Sequence, residues 1–344
     1  MSNTLPQSIS AVKKYDLRYT TQMTKTAFFS TKPFEMDAIL RANQSQHEFI
    51  FIADPLNETT AKQAANCKAV CCFVTDVLNE PVLTKLKTLG IQMIALRSAG
   101  YDHLDVAAAK RLGFIVARVP EYSPEAVAEF AVTLLLALTR KLPQALQKVA
   151  RHDFTLTNLL GVNLFQKTIG IVGVGHIGTA FAKIMLGFSC RVLACDPKPS
   201  EKCRELPIQF VSLDKLLAES DVISLHCPCT PETTNIINTL NISKMKTGVI
   251  LINTGRGTLI DTIAFIHGLE TKKIGAAGLD VYAREKGLFF EDHSNEKLSD
   301  TEFLKLQTFP NVIITNHIAF FSAEAVDNIA KTTVKNLAEM KSNI

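Results

Sequence analysis

None of the eight cysteines forms a C-x-x-C pair. The spacing that usually holds structural zinc is therefore missing, and no metal site is expected. Most of the cysteines lie in apolar runs such as Ala69-Val-Cys-Cys-Phe-Val74, where a thiol acts as a small buried hydrophobe in a reducing compartment. Long hydrophobic runs are also absent. The greasiest stretch, Phe130 to Leu138, is short and interrupted by Thr133, so no membrane span is expected. Residues 1–22 carry Lys13, Lys14 and Arg18 without an apolar core, and read as a disordered polar extension rather than a secretory signal. Charge of one sign is scarce: a net +4 over 344 residues offers little to nucleic acid or an anionic membrane. No repeat or low-complexity tract occurs. A cytoplasmic protein without a nucleic-acid or membrane partner is the expectation.

The chain is longer than one core ordinarily supports, so two domains are the default. Short Val/Ile-rich runs alternate with helix-like stretches: Thr26–Ser30, Ala69–Val74, Met93–Leu96, Ile115–Ala117, Thr168–Val172, Arg191–Ala194, Val222–Leu225, Val249–Asn253, Gly275–Leu279 and Val312–Thr315. Apolar runs separated by helices predict parallel strands covered on both faces. The fold class is α/β, with doubly wound parallel sheets. One helix stands out. Ser123 is a good N-cap, Pro124 suits the first helical position, and Ala126 to Leu138 is apolar nearly all round, which demands burial in a large core or at a subunit interface. Between the last two strand candidates, 285–299 is polar and charged and reads as a long surface excursion of the kind that often carries function.

The run Thr168-Ile-Gly-Ile-Val-Gly173-Val-Gly175-His176-Ile177-Gly178 is a strand leading through G-x-G-x-x-G into a helix. Its glycines would allow the tight turn, the approach of a pyrophosphate, and close helix–strand packing, with phosphates drawn to the helix N-terminus. Asp196 closes the next strand, eighteen residues after Gly178. A carboxylate there accepts ribose hydroxyls and repels a 2′-phosphate, which favours NAD over NADP. Because the fingerprint starts near mid-chain, the reading is a Rossmann cofactor domain, 122–320, inserted into a substrate domain of 23–121 and 321–344.

Five further segments are Arg97-Ser-Ala-Gly100-Tyr101-Asp102, Tyr122-Ser-Pro124-Glu-Ala-Val-Ala-Glu129, Asn253-Thr-Gly255-Arg256-Gly257, Gly278-Leu-Asp280-Val-Tyr282 and Asn316-His317. In this order the chain, over about 24–340, resembles the D-isomer-specific 2-hydroxyacid dehydrogenases. Within that family, Gly287-Leu-Phe-Phe-Glu-Asp292-His-Ser-Asn295 resembles the fermentative bacterial D-lactate dehydrogenases. The resemblance implies a flavodoxin-like substrate domain, a homodimer or homotetramer, and NADH-dependent reduction of a 2-keto acid, pyruvate first among them. A broader keto-acid reductase, of D-2-hydroxyisocaproate type, and an NAD-sensing binding protein on the same scaffold stay open.

Reduction of a keto acid needs a cation for the carboxylate and a proton donor for the oxygen. Arg256, just past a strand end, offers the bidentate fork. His317, past the last strand, offers an imidazole, the side chain suited to proton transfer near neutrality. By the resemblance, Glu285 orients His317 and stabilises its imidazolium. Many relatives have Glu where Ala283 stands, and counting five residues on from Asp280 instead reaches Glu285. The resemblance also implies cofactor contacts from Cys227, Pro228, Thr233, Thr254, Gly255, Arg256 and Asp280, joining Gly173, Gly175, His176, Ile177, Gly178 and Asp196. It implies substrate contacts from Phe73, Ala99, Gly100, Tyr101 and Arg256.

Overall fold

A computed structural model describes residues 24–344; the extension read over 1–22 lies outside the described residues. Every strand pairing is parallel, and the strands form two sheets. Two compact units result. One joins 24–97, Asp102–Arg118 and Thr333–Ile344; the other joins Ser98–Tyr101 and Val119–Thr332.

The first unit holds β1 (Lys25–Phe28), β2 (Glu48–Phe51), β3 (Ala69–Cys72), β4 (Met93–Leu96) and β5 (Ile115–Arg118) in the order β2-β1-β3-β4-β5. This is the flavodoxin-like order. Every residue of β3 and β4 is buried, which is why these strands read as unbroken apolar runs rather than alternating ones. The sequence reading missed β2. It is an edge strand with Glu48 exposed and its other residues only half-buried, so neither a continuous nor an alternating apolar pattern marks it.

The second unit holds β6 (Thr168–Val172), β7 (Arg191–Cys195), β8 (Gln209–Phe210), β9 (Val222–Leu225), β10 (Val249–Asn253), β11 (Ile274–Leu279) and β12 (Val312–Ile314). Their order is β12-β11-β10-β9-β6-β7-β8, so strand order reverses between β9 and β6, where doubly wound sheets bind ligands. The two-residue edge strand β8 has no buried residue and was likewise missed. Alternate residues feed two cores. Leu251 and Ala277 face one, Ile252 and Ala276 the other.

This unit runs past the 122–320 read from the sequence, and hydrogen bonds account for both ends. The Val119 amide donates to Ser98 O at 3.2 Å. The Asn328 side chain donates to Tyr122 O at 2.7 Å, holding the start of the helix Ala323–Glu339 in the second unit. Further along that helix, Asn336 bonds Arg118 O at 2.9 Å within the first unit.

The apolar helix Pro124–Thr139 begins as its sequence suggests, with Ser123 Oγ accepting from the Ala126 amide at 3.2 Å. Most of its hydrophobic surface is covered by its own chain. Val127, Ala128, Ala131, Leu134, Leu135 and Leu138 are buried, and the helix packs on the helix His176–Gly187 and on β10 and β11. The exposed apolar side chains come just after it. Leu142, Leu146, Val149, Phe154, Leu156, Leu160, Val162 and Phe165 are each at least half exposed, Leu160 at 91%.

Candidate active site

In a parallel sheet the residues that follow each strand lie along one edge. Gly173 follows β6, Asp196 follows β7, His226 to Pro228 follow β9, Thr254 to Arg256 follow β10, Asp280 follows β11 and His317 stands three residues beyond β12. The strand order divides this edge into a glycine-loop half on β9, β6 and β7 and a half on β10, β11 and β12 that carries Arg256, Asp280 and His317.

On the glycine-loop half, Gly173 has φ +89°, and a Cβ there would lie 2.4 Å from Cys227 N. Both the conformation and the close approach exclude a side chain. The helix His176–Gly187 starts without a side-chain cap, so its first amides remain available to an anion. Among the described residues, Gly175's chain neighbours aside, no atom lies within 4 Å of the position its Cβ would take. Asp196 accepts from Val174 N and Lys198 N, each at 2.7 Å, and so ties the glycine loop to β7. His176 Nδ1 contacts Glu121 at 2.8 Å, and Ile177 is half-buried. Cys227 is buried and Pro228 exposed. The Thr233 hydroxyl donates to Pro228 O at 2.7 Å, shaping that loop from within. His226 bonds Ser224 Oγ at 2.8 Å and lies 5.0 Å from the Phe181 ring; burial pushes its pKa down to about 3, so it stays neutral.

On the other half, Asn253 brackets the Arg256 loop, accepting from Gly255 N at 3.0 Å and donating to Arg256 O at 2.9 Å. A Cβ on Gly257 would fall 2.0 Å from the Tyr282 carbonyl carbon, so only glycine lets the Arg256 loop meet the chain beyond β11. Thr254 Oγ1 is buried and makes no hydrogen bond, an orphan polar atom that a ligand amide or hydroxyl would satisfy.

Asp280 is wholly buried. It accepts from Thr315 Oγ1 at 2.6 Å, Ile318 N at 2.9 Å and Ala319 N at 2.8 Å. Burial raises its pKa, against the pull of those three bonds. Read from the sequence as a cofactor contact, Asp280 spends these bonds holding the 315–319 loop and with it His317. That imidazole meets Glu285 through Nδ1 at 2.8 Å, while the second oxygen of Glu285 accepts from Tyr282 N at 3.0 Å. The carboxylate is thus anchored on one side and offered to the imidazole on the other, leaving Nε2 as the ring nitrogen outside the pair. His317 has φ +60° and Phe290, 5.8 Å away, has φ +69°. Each costs roughly 1–3 kcal/mol, which the surrounding contacts must offset.

Tyr122 was not singled out by the sequence. Burial pushes its hydroxyl pKa up, against the opposing charge of nearby Arg256 and with Asp280 adding to the rise; its ring packs 6.3 Å from Phe320. Only its place beside Pro124 in a motif marked it.

Ser98 Oγ donates to Gly100 O at 2.6 Å, fixing the Ala99–Tyr101 turn, and Tyr101 is 40% exposed. Phe73 lies in the first unit. It is buried, its amide donates to Asp76 at 2.7 Å, and the Arg97 guanidinium sits 5.5 Å from its ring. Arg97 forms a buried pair with Glu35 through two 3.0 Å bonds, a contact across 62 residues that no local pattern reveals. Among the described residues no His, Cys, Asp or Glu cluster is arranged to hold a metal, and no helix is long and apolar enough to cross a membrane.

The model of the NAD-binding domain of D-isomer-specific 2-hydroxyacid dehydrogenases matches residues 132–319. The D-lactate dehydrogenase of Escherichia coli K12 is 45% identical over 318 residues, covering 92% of this chain and 97% of its own. The solved pyruvate reductase of Chlamydomonas reinhardtii superposes with a TM-score of 0.87 at 42% identity, over 92% of this chain and 96% of that one. The Aquifex aeolicus D-lactate dehydrogenase complexed with NAD and lactic acid gives 0.82 at 34% identity, over 91% and 94%. The open space at Gly175, the uncapped helix and the orphan Thr254 hydroxyl fit a dinucleotide, and with these likenesses the chain belongs to the NAD-dependent D-isomer-specific 2-hydroxyacid dehydrogenases.

Proposed function

We propose that the protein reduces pyruvate to D-lactate, reversibly, as a cytoplasmic homodimer. The Glu285–His317 contact at 2.8 Å on the edge that also carries Arg256 is the observation that best supports a catalyst over an NAD-sensing binding protein. Gly173 to Gly178, Asp196, Cys227, Pro228 and Thr254 would hold the dinucleotide. NAD, when bound in reduced form, supplies the hydride that reaches the carbonyl carbon.

The protein's own part is charge and proton placement. Arg256 takes the substrate carboxylate in its fork and polarises the carbonyl, with the amides of Ala99, Gly100 and Tyr101 as a second carboxylate cradle. Protonated His317 donates from Nε2 to the oxygen as negative charge gathers there, and Glu285 on Nδ1 holds the ring and stabilises the imidazolium. Oxidation of the hydroxy acid runs the same proton back to neutral His317. Phe73 is assigned to the substrate side chain.

Pyruvate is put ahead of a larger keto acid because the D-lactate dehydrogenase and pyruvate reductase relatives are 45% and 42% identical, against 31% for the solved D-2-hydroxyisocaproate dehydrogenase, at equal coverage. The exposed apolar side chains from Leu142 to Phe165 support self-association. The test is loss of NADH absorbance with a panel of 2-keto acids, followed by chiral assay of the product. Pyruvate should lead the panel and yield only D-lactate. L-lactate, or no turnover of any keto acid, would overturn the reading.

A further inference from the structure

We infer that Phe290 is a positioning residue for His317: one turn, Glu285 to Phe290, supplies both the carboxylate on Nδ1 and an aromatic ring against the imidazole. This rests on the reading of His317 as proton donor.

The turn closes on itself, with the amides of Leu288 and Phe289 donating to Glu285 O at 3.0 and 2.9 Å. Phe289 points inward; it is buried and meets Phe303 edge-on at 6.0 Å. The next residue reverses the chain. With φ +69°, Phe290 brings its ring centroid to 5.8 Å from that of His317, tilted by 40°. Phe320 meets the imidazole edge-on at 6.5 Å. The imidazole therefore has ring neighbours at Phe290 and Phe320 and a carboxylate at Nδ1, which restricts its rotation.

The backbone gives the independent observation. Among the described residues Phe290 is the one phenylalanine or tyrosine with positive φ. That conformation is tolerated by Gly and Asn and disfavoured for bulky side chains. Phe290 also packs against the core that holds Phe289 and Phe303, so the ring serves the fold on one side and lies against His317 on the other. The strained backbone keeps both contacts, and kinetics against stability separates them.

Two variants separate the backbone from the ring. Phe290→Ala and Phe290→Asn both remove the ring, but Asn fits the left-handed conformation and Ala does not, so Asn should melt at the higher temperature. If the ring positions His317, kcat for pyruvate should fall about tenfold or more in both variants alike, with KM for NADH unmoved. Phe290→Tyr should restore kcat to within about threefold of the unmodified enzyme. Near-normal kcat in both variants would overturn the inference. So would a kcat that recovers in Asn along with stability, since activity would then be following the backbone. An unmodified protein that turns over no 2-keto acid would instead strike the catalytic reading of His317.

Discussion

Asp196 closes both carboxylate oxygens on main-chain amides, at Val174 and Lys198. It therefore shapes the glycine loop, and in the proposed cofactor site its charge would meet a 2′-phosphate. NADH should be strongly preferred to NADPH. In Asp196→Ala the ratio of kcat/KM for the two cofactors should narrow, mainly by loss of the NADH value, because the loop loses two hydrogen bonds as the repulsion goes. Steady-state kinetics with both cofactors checks this, and equal kcat/KM in the unmodified enzyme would remove the role given to Asp196. At this scale much was legible. The glycines, the acid after β7, and the place of Arg256, Glu285 and His317 follow from local pattern, strand ends and family resemblance. The long-range contacts around them were not. Gly257 stands in a quoted motif, but its close approach to Tyr282 and, in the first unit, the Arg97–Glu35 pair exist only once distant segments meet. Asp280 was noticed, but its bonds to 315–319 reach 35 to 39 residues along the chain.

The excursion after β11 is the element that local pattern described least well. It reads as a polar surface loop, yet Phe289 is buried and its far end is fixed by a charged knot. The Tyr282 hydroxyl donates to Asp300 at 2.9 Å, Arg284 pairs with Asp300 and Glu302, and Asp300 also accepts from the amides of Glu302 and Phe303. Burial pushes the Asp300 pKa up, but Arg284, the Phe303 amide and Tyr282 outweigh it and bring it to about 2. A folded pKa below the unfolded one means that Asp300 stabilises the fold above its unfolded pKa. That contribution fades as pH falls through the folded value, in the window from roughly 4 down to 2. Asp300→Asn should therefore raise the rate of proteolytic cutting within 285–299 at neutral pH and shrink the extra cutting of the unmodified protein on acidification. Unchanged cutting in the variant would show that the excursion is held elsewhere. The missed strands β2 and β8 share a physical cause: both are edge strands without a fully buried face, and periodicity reports burial rather than pairing.

Across the whole molecule, two parallel sheets with a Rossmann unit inserted into a flavodoxin-like one were readable, because buried parallel strands write continuous apolar runs. Surface use was not. The helix Pro124–Thr139, read as buried in a core or at an interface, is largely buried by its own unit. The stretch Leu142–Phe165 instead exposes eight large apolar side chains, the material of an interaction surface where such side chains form one patch. If a second copy covers it, sedimentation at micromolar concentration should give a mass of at least two chains. Leu156→Ser with Leu160→Ser should shift the equilibrium toward monomer while the circular dichroism spectrum holds. A monomeric unmodified protein would refute the dimer.

The Glu285 contact and the proposed proton transfer meet at His317, so its removal tests the account most directly. NADH affinity is measured by fluorescence titration and kcat for pyruvate by stopped assay, in the unmodified enzyme and in His317→Ala. The proton donor disappears while the glycine loop and Asp196 remain, so kcat should fall by about a hundredfold or more with the NADH Kd nearly unchanged. A variant that keeps near-normal turnover, or one that loses NADH binding in step with kcat, would contradict it.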